Sequence, residues 1–499
     1  MKTNSQNSGK NGLISILKSA ADMIRGGLDY KSLLVFLFYK ALSDKWLKRV
    51  ENLVENERMT RTSAYIATNK EYYVLFDEDE SRLYTWHEIV KVRSSIKEMA
   101  NALVKISKLN EELRDLERLV EMLGLVGYIK EDNLHKLEEI VKIFNRMDFS
   151  EFGSDILGDA YEWILSYFAP QKAKEGEIYT PREGIKLIVK ILDIGDGCDV
   201  LDPASGSGGM LIEAYEHVKS KLQGKNPGLM LYGQELNETT ATLSKLNFIL
   251  HGIQDYDIYE GFDSLTNPQF EVADYVIANP PWNQDGYDEK VLSDRKVKHI
   301  YKYGYPTKQS ADWAWIQLML HYAEKKVGIV LDSGALFRGG KEKGIRQRVV
   351  EDDLLEAVLL LPEKLFYNTG APGIVMIFSK EKSKERKGKI LFINASKEYR
   401  QHPEVKRLNQ LAPENIEKIV DAFRNFKEID GFSRVVGIEK IRENDYNLNV
   451  SLYVFPEEEE EKIDLEKELK EFKIIEREEK RIVDRAIEYI EKILSSGGE

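Results

Sequence analysis

A glycine-rich segment, Asp202–Gly209 (DPASGSGG), is the first of three segments whose residue types could do chemistry. It follows a short strand-like run and leads into a helical pattern, which predicts a tight turn between a strand and a helix. Glycine lets the backbone come close to a ligand at the amino terminus of a helix. The pattern is neither G-x-G-x-x-G nor a phosphate-binding loop with its lysine. The candidate ligand-binding residues are Asp202, Ala204, Ser205, Gly206, Ser207, Gly208 and Gly209.

Two acidic residues follow at places where later strands should end. Glu235 lies in Tyr232–Asn237 (YGQELN), where a carboxylate can accept hydrogen bonds from both hydroxyls of a ribose. A single exposed glutamate is usually a surface residue, but its position after the glycine turn favours a ligand-binding role. Asp263 could accept a hydrogen bond from the adenine amino group of a cofactor or could cap a helix. The sequence leaves both interpretations of Asp263 open.

The third segment is Ala273–Trp282 (ADYVIANPPW), a predicted strand that ends in two prolines. Proline fixes an extended, rigid backbone at the carboxyl end of the strand. A stiff strand exit with a buried tryptophan would explain the pattern without any function. Its place after the two ligand-binding segments favours a catalytic role instead. The candidate catalytic residues are Asn279, Pro280, Pro281 and Trp282.

Three regions must position these residues. Residues 1–168 show helical apolar spacing, for example from Leu13 to Leu28, and predict an all-α amino-terminal domain. Residues 169–455 alternate short β-type runs with helical stretches, which is typical of an α/β, doubly wound, mostly parallel sheet. Such sheets bind ligands at the carboxyl ends of their strands. Residues 456–499 contain the acidic run Glu457–Glu461 and then a helical pattern, either a solvated helix or one that packs on a partner subunit.

Composition excludes several classes of protein. The apolar run Leu33–Tyr39 is far shorter than the roughly 20 residues that a bilayer needs, and the amino terminus does not read as a signal peptide. With a single cysteine, Cys198, we expect no disulfide framework and a cytoplasmic location. No two histidines have the i, i+4 spacing of a helical zinc site, so we expect no metal. The net charge of −13 argues mildly against a protein that binds long DNA unaided.

The third segment carries a family resemblance. Asn279–Trp282 (NPPW) matches the [DNS]-P-P-[YFW] signature of amino-group DNA methyltransferases, and Gly176–Arg182 (GEIYTPR) looks like their additional cofactor motif. The order of the motifs is that of the γ class. The resemblance implies an S-adenosylmethionine-dependent methyltransferase sheet with S-adenosyl-L-methionine as cofactor. It extends the candidate cofactor-binding set to Glu177, Ile178, Tyr179, Thr180, Pro181 and Arg182.

A narrower resemblance, over about residues 12 to 400, is to the modification subunit of type I restriction-modification enzymes. Five stretches carry it: Ala20–Arg25 (AADMIR), Phe38–Asp44 (FYKALSD), Leu157–Glu162 (LGDAYE), Phe337–Gly340 (FRGG) and Phe366–Gly370 (FYNTG). Members usually have phenylalanine after the two prolines, so Trp282 departs from the pattern but keeps an aromatic face. The resemblance implies double-stranded DNA, a DNA-specificity subunit and a second copy of the chain as partners. A motor-nuclease restriction subunit joins them when the DNA is cut.

The resemblance also implies a mechanism. The Asn279 side-chain oxygen and the Pro280 carbonyl would accept hydrogen bonds from the N6 amino group of adenine, which must flip out of the duplex and stack on Trp282. Methylation of cytosine C5 needs a cysteine nucleophile, and Cys198 is predicted at the wrong end of the sheet. A stand-alone adenine-N6 or cytosine-N4 methyltransferase and a silent cofactor-binding scaffold remain alternatives. The basic and aromatic segment 295–308 is either a loop that tracks DNA phosphates or an ordinary surface loop.

Overall fold

The structure is a computed structural model of the chain. It describes residues 2–25, 27–92, 95–172, 180–366, 370–402 and 405–455, and beyond these only 469, 472–473, 475–483 and 485–487. The chain divides into two compact units, Met1–Phe455 and Pro456–Glu499. Among the described residues no helix combines the length and the apolar character required to cross a membrane.

The amino-terminal part is helical, as the apolar spacing predicts. Its helices are α1 (Lys2–Ile24), α2 (Lys31–Asn56), α3 (Arg61–Glu71), α4 (Trp86–Ile89), α5 (Ser95–Leu109), α6 (Leu116–Met122), α7 (Glu131–Phe144) and α8 (Ser154–Lys172). One short hairpin, β1 (Phe76–Asp77) with β2 (Arg82–Leu83), interrupts the helices. The Asp77 carboxylate accepts hydrogen bonds from the backbone of Asp79 and Glu80, a turn that favours a hairpin over a helix.

A nine-stranded sheet forms the second part. Its strands are β3 (Asp199–Asp202), β4 (Met230–Glu235), β5 (Tyr256–Glu260), β6 (Ala273–Ala278), β7 (Ala323–Asp332), β8 (Leu355–Leu360), β9 (Gly373–Ser379), β10 (Lys389–Asn394) and β13 (Ser433–Gly437). They lie in the order β13-β10-β8-β9-β7-β6-β3-β4-β5, and all are parallel except β9 and β13. The predicted doubly wound, mostly parallel α/β sheet is therefore confirmed. A small hairpin of β11 (Arg400–Gln401) and β12 (Asn409–Gln410) follows β10.

Helices connect the strands. They are α9 (Arg182–Leu192), α10 (Gly209–Lys221), α11 (Glu238–His251), α12 (Glu289–Leu292), α13 (Asp312–Tyr322), α14 (Gly340–Glu351), α15 (Pro413–Arg424) and α16 (Ile438–Glu443). The chain leaves β3 toward β4 on one side, and β6 pairs with β3 on the other. This reversal of strand order leaves a crevice at the carboxyl ends of the strands, where doubly wound sheets bind ligands.

The helical part and the sheet share buried polar contacts. The Tyr161 hydroxyl on α8 donates to the Leu243 carbonyl on α11 over 2.9 Å, and Asn247 on α11 donates to the Glu162 carboxylate over 2.6 Å. The predicted boundary at residue 168 falls inside α8, and both parts lie within one compact unit. The division into domains at residues 168 and 455 stays a prediction.

In the carboxyl-terminal unit the described residues 475–483 and 485–487 are helical, in agreement with the predicted tail helix. Apolar side chains on this helix are largely exposed within the described structure, including Ile482 at 67%. The exposed members of this apolar set are Ile475, Ile482, Val483 and Ile487. Exposed apolar side chains of this kind are poorly solvated by water. The helix is therefore better suited to contact another surface than to stand alone.

Candidate active site

A cavity of about 500 Å³ opens at the carboxyl ends of β3, β4 and β6. The carboxyl ends of these parallel strands meet at one edge of the sheet, which brings the three sequence segments together. The predicted site residues that line the cavity are Thr180, Asp202, Ala204, Ser205, Gly206, Ser207, Gly209, Glu235, Asp263, Asn279 and Pro281. Glu177, Ile178 and Tyr179 lie outside the described residues.

The glycine-rich turn contributes its backbone to the cavity wall. Gly206 has φ +52°, and a Cβ atom built on it would meet no atom within 4 Å. Gly208 has φ +83°, and a Cβ there would lie 2.6 Å from the Phe248 ring and 2.7 Å from the Ser244 hydroxyl. Gly206 therefore keeps the cavity open, whereas Gly208 allows the turn to pack on α11.

Glu235, at the end of β4, has a fixed carboxylate. One oxygen accepts a hydrogen bond from the Gly206 backbone over 3.0 Å, and the other accepts from the Asn237 backbone over 2.8 Å. The two bonds hold the carboxylate against the glycine-rich turn. Carboxylate oxygens accept several hydrogen bonds in all, so a carboxylate at this place in the cavity wall suits ligand hydroxyls.

Asp202, at the end of β3, is a buried carboxyl group in the wall of the cavity. The pKa of Asp202 is raised to about 8, mainly by burial; a hydrogen bond from the Ala204 backbone lowers it, and the charge of Glu235 adds to the rise. At pH 7 Asp202 is therefore mostly protonated, and a positively charged ligand beside it would lower its pKa and favour its ionised form.

Asp263 caps a turn, as one of its two interpretations from the sequence proposes. One carboxylate oxygen accepts from the Leu265 backbone over 2.9 Å, as in a turn cap, and the other accepts from the Tyr287 hydroxyl over 2.9 Å. The residue also lines the cavity. A contact with a ligand there remains a prediction.

The Asn279 side chain connects Thr180, in the upstream GEIYTPR motif, to Trp282, the aromatic residue after the two prolines. Its side-chain nitrogen donates to the Thr180 hydroxyl over 2.7 Å, and its side-chain oxygen accepts from the Trp282 indole nitrogen over 2.9 Å. The Trp282 ring meets Phe366 edge-on, with centroids 4.8 Å apart and planes at 70°. A buried carboxamide is thus held at both ends beside the cavity.

Comparisons with known proteins agree with this geometry. The family model of the N-6 DNA methylases matches residues 153–462, and the model of the HsdM N-terminal domain matches residues 13–144. The chain is similar to the type I restriction enzyme MjaVII methylase subunit of Methanocaldococcus jannaschii, with 62% identity over 98% of this chain and 85% of the relative. The chain belongs to the family of type I restriction enzyme methylase subunits. The family predicted from the sequence is confirmed.

Two further comparisons support the same assignment. The MjaVIII methylase subunit of the same organism is 55% identical over 91% of this methylase subunit and 80% of the relative. A crystal structure of a type I restriction-modification methyltransferase subunit from Streptococcus thermophilus superimposes with a TM-score of 0.76, at 27% identity, over 89% of this chain and 99% of that one. The methylase subunit is an N6-adenine DNA methyltransferase.

Some predicted site residues of the methylase subunit lie beside the cavity rather than in its wall. Pro181 and Arg182 begin α9 and line a neighbouring groove between α1, α8 and the β11–β12 hairpin. The Arg182 guanidinium pairs there with Asp159 over 2.8 Å. Gly208 faces α11, and Trp282 follows the cavity-lining Pro281.

Other residues that line the cavity were missed from the sequence. Leu236 and Phe262 are exposed apolar residues directly beside the two acids Glu235 and Asp263, and that adjacency was a usable signal. Gln284 and Tyr287 reach the cavity because the chain turns back after Trp282. Glu162, which ends the LGDAYE stretch, also lines the cavity, and further lining residues without a sequence signal are Ile185, Thr240 and Trp315.

Most of the basic and aromatic segment 295–308 runs away from the edge of the sheet where the cavity opens, and its interpretation as a phosphate-tracking loop stays a prediction. Tyr301 and Tyr303 are buried, and their hydroxyls bond to the Leu265 carbonyl and the Asp352 carboxylate. The His299 ring contacts His321 at the end of α13, just before β7 begins, which is the opposite edge of the sheet. The segment mainly packs along α13.

Proposed function

We propose that the methylase subunit binds S-adenosyl-L-methionine in the cavity and methylates N6 of an adenine flipped out of double-stranded DNA, together with a DNA-specificity subunit. The observation that carries the proposal is the position of Asn279. Its carboxamide lies at the cavity wall and is bonded to both Thr180 and Trp282. A group that binds the target amino nitrogen there would lie beside the bound cofactor.

The cavity residues fit this cofactor. The Ser205 hydroxyl is buried and has no hydrogen-bond partner among the described residues, so a polar ligand group would satisfy it. The fixed Glu235 carboxylate suits ribose hydroxyls, and a positively charged ligand would favour the ionised form of Asp202 by lowering its raised pKa. When bound, the cofactor supplies a methyl group on a positively charged sulfur atom.

The chain's own residues act by position and electrostatics. The Asn279 oxygen and the Pro280 carbonyl would accept hydrogen bonds from the two hydrogens of the adenine amino group. These bonds favour a more tetrahedral nitrogen, whose lone pair leaves the plane of the ring. Preorganised acceptors of this kind need no strong base before attack. Stacking of the flipped base on Trp282 would contribute about 1–3 kcal/mol.

The partners are proposed on charge and on exposed apolar surface. The chain is acidic, with a net charge of −13, whereas a protein that grips duplex DNA unaided relies on clustered lysine and arginine. The exposed row formed by Ile475 and Ile482, which lie seven residues apart on one face of the helix, is suited to helical packing on a specificity subunit. A second copy of the chain and a motor-nuclease subunit complete the proposed complex, as the family resemblance implies.

The partner requirement is tested with purified proteins at physiological salt. We expect the chain alone to methylate DNA poorly and without site preference, and the complex with its specificity subunit to methylate adenine at one sequence. Ile482→Asp should weaken co-purification with the specificity subunit, because it places a charge in the exposed apolar row. Lys480→Asp, on the same described helix but outside that row, is the matched control. Site-specific methylation by the chain alone at the rate of the complex would contradict the proposal.

The cofactor assignment is tested at the glycine turn. Gly206→Val should lower the affinity for S-adenosyl-L-methionine at least about tenfold, because the open space beside Gly206 is where the ligand must approach. Valine at positive φ also strains the backbone by about 1–2 kcal/mol. Gly197→Val is the matched control: φ is +73°, a Cβ meets nothing within 4 Å, and the residue precedes β3 at the opposite edge. Equal affinities of the two variants in calorimetry would refute the assignment.

A further inference from the structure

We propose that the indole N–H of Trp282 sets the orientation of the Asn279 carboxamide, which makes Trp282 a positioning residue for methyl transfer as well as a stacking surface. The inference rests on the proposed function, because it concerns how Asn279 meets the target amino group. It assigns a role to the one position of the signature at which this chain has tryptophan instead of the usual phenylalanine.

The two ends of a carboxamide have nearly the same size and differ only in donating or accepting hydrogen bonds. Among the described residues, Asn279 has one hydrogen-bond neighbour at each end of its carboxamide, the Thr180 hydroxyl at 2.7 Å and the Trp282 indole nitrogen at 2.9 Å. A hydroxyl donates or accepts, so Thr180 tolerates either orientation. An indole N–H only donates, so the end of Asn279 that faces Trp282 must be the oxygen.

The orientation matters because the target amino group offers hydrogens. With the oxygen toward Trp282, Asn279 presents an acceptor on the side where the flipped base would stack. Turned by 180°, the carboxamide would present its own N–H groups to the indole and to the base, and neither contact could form a normal hydrogen bond. An oxygen has two lone pairs, so it can accept from the indole and from the adenine amino group together.

The indole is itself held in place. Its ring meets the buried Phe366 ring edge-on, with centroids 4.8 Å apart. Both rings lie over Gly373, the first residue of β9, where a Cβ atom would lie 2.5 Å from Phe366 and 3.1 Å from Trp282. The absence of a side chain at Gly373 thus lets the two aromatic rings approach the sheet. This packing aims the indole nitrogen at Asn279. Phenylalanine at position 282 could stack but would offer no donor.

The test uses the full-length chain with its specificity subunit and measures single-turnover methyl transfer. Trp282→Phe keeps an aromatic face and removes the N–H, so we expect the transfer rate to fall about three- to tenfold, the range of one hydrogen bond. The affinities for cofactor and DNA should stay within about twofold of wild type, since no cofactor contact and little stacking is lost. A merely structural role would lower binding and transfer together.

A double-mutant cycle shows whether Trp282 acts through Asn279. In an Asn279→Ala background, Trp282→Phe should have no further effect on the residual rate, because there is no carboxamide left to orient. The same fold loss in both backgrounds, or no loss in wild type, would overturn the inference. Failure of wild-type protein to methylate adenine would instead overturn the proposed function, so the two failures are distinguishable.

A second measurement separates stacking from orientation. The base 2-aminopurine has no amino group at C6, so its fluorescence at the target position reports flipping and stacking without a bond to Asn279. We expect Trp282→Phe to give the wild-type signal and Trp282→Ala to alter it. Trp86→Phe is the matched control for loss of an indole-to-asparagine hydrogen bond: the Trp86 indole donates to the Asn145 oxygen over 2.6 Å, far from the cavity. It should leave methyl transfer unchanged.

Discussion

Replacing Asn279 with alanine is expected to lower the methyl-transfer rate by about 10²–10³, the effect of losing one preorganised hydrogen-bonding group at a reacting atom. The variant removes the acceptor for the adenine amino group and the contacts to Thr180 and Trp282. Cofactor affinity should change little, because the Gly206–Glu235 wall is untouched. The measurement is single-turnover formation of N6-methyladenine by the complex, with cofactor affinity from calorimetry.

Asn279→Asp is the informative companion to this variant. It keeps two acceptor oxygens in the same place and removes only the N–H that bonds to Thr180, whose hydroxyl can donate instead. Aspartate also satisfies the [DNS]-P-P-[YFW] signature. We therefore expect Asn279→Asp to keep clearly more activity than Asn279→Ala. Near-normal transfer by the alanine variant would contradict the mechanism, and equal loss in both variants would mean that acceptance of a hydrogen bond is not what Asn279 supplies.

The composition of the cavity could largely be predicted because its residues follow strands. Asp202, Glu235 and Asn279 each end a strand or follow it directly, and the carboxyl ends of neighbouring parallel strands meet at one edge. Chain order and strand-end position were thus enough to place them together. The local sequence also predicted the tight turn at Gly206. In the structure this glycine has φ +52°, a backbone conformation that glycine adopts without strain.

The course of the segment after Trp282 could not be predicted in the same way. Its lysines are exposed, whereas Tyr301 and Tyr303 are buried, but alternation of this kind does not tell which way a connection runs. The Tyr303 backbone N–H donates to the Gln317 side-chain oxygen on α13. This tertiary contact takes the segment away from the edge of the sheet where the cavity opens. The position of Pro181 and Arg182 beside the cavity could not be predicted for a related reason. They begin a helix, and the face of that helix is set by its packing rather than by the motif.

The FRGG motif had a family resemblance but no predicted role, and the structure places its half-buried arginine against two buried carboxylates, Asp312 and Glu342. The Arg338 guanidinium donates to the Asn283 side chain over 2.8 Å, to the Ser310 hydroxyl over 2.8 Å and to the Glu342 carboxylate over 2.8 Å. It also pairs with Asp312. Because Asn283 directly follows Trp282, the network ties the end of the catalytic segment to α13 and α14. Arg338 therefore stabilises the position of the segment that follows Trp282.

Arg338→Ala is expected to lower the free energy of unfolding by about 3–5 kcal/mol at pH 8, the usual effect of removing one partner of a buried ion pair. Asp312 and Glu342 are buried, and burial raises the pKa of each carboxyl group while the charge of Arg338 opposes the rise. Without Arg338 both pKa values rise further. The folded variant then binds more protons than its unfolded chain, so its stability falls as pH rises and its deficit should shrink toward pH 5.

Urea denaturation at pH 5 and pH 8 measures this deficit, with Arg442→Ala as the matched control. Arg442 makes an equally well-formed pair with Glu351, over 2.7 and 2.6 Å, but on the exposed surface, so solvent screens the loss and the change should be much smaller and nearly independent of pH. Adding Asp312→Asn and Glu342→Gln to Arg338→Ala should recover part of the lost stability at pH 8, because no buried charge is then left unpaired. Equal losses in the Arg338 and Arg442 variants would show that the Arg338 network does not stabilise the fold in this way.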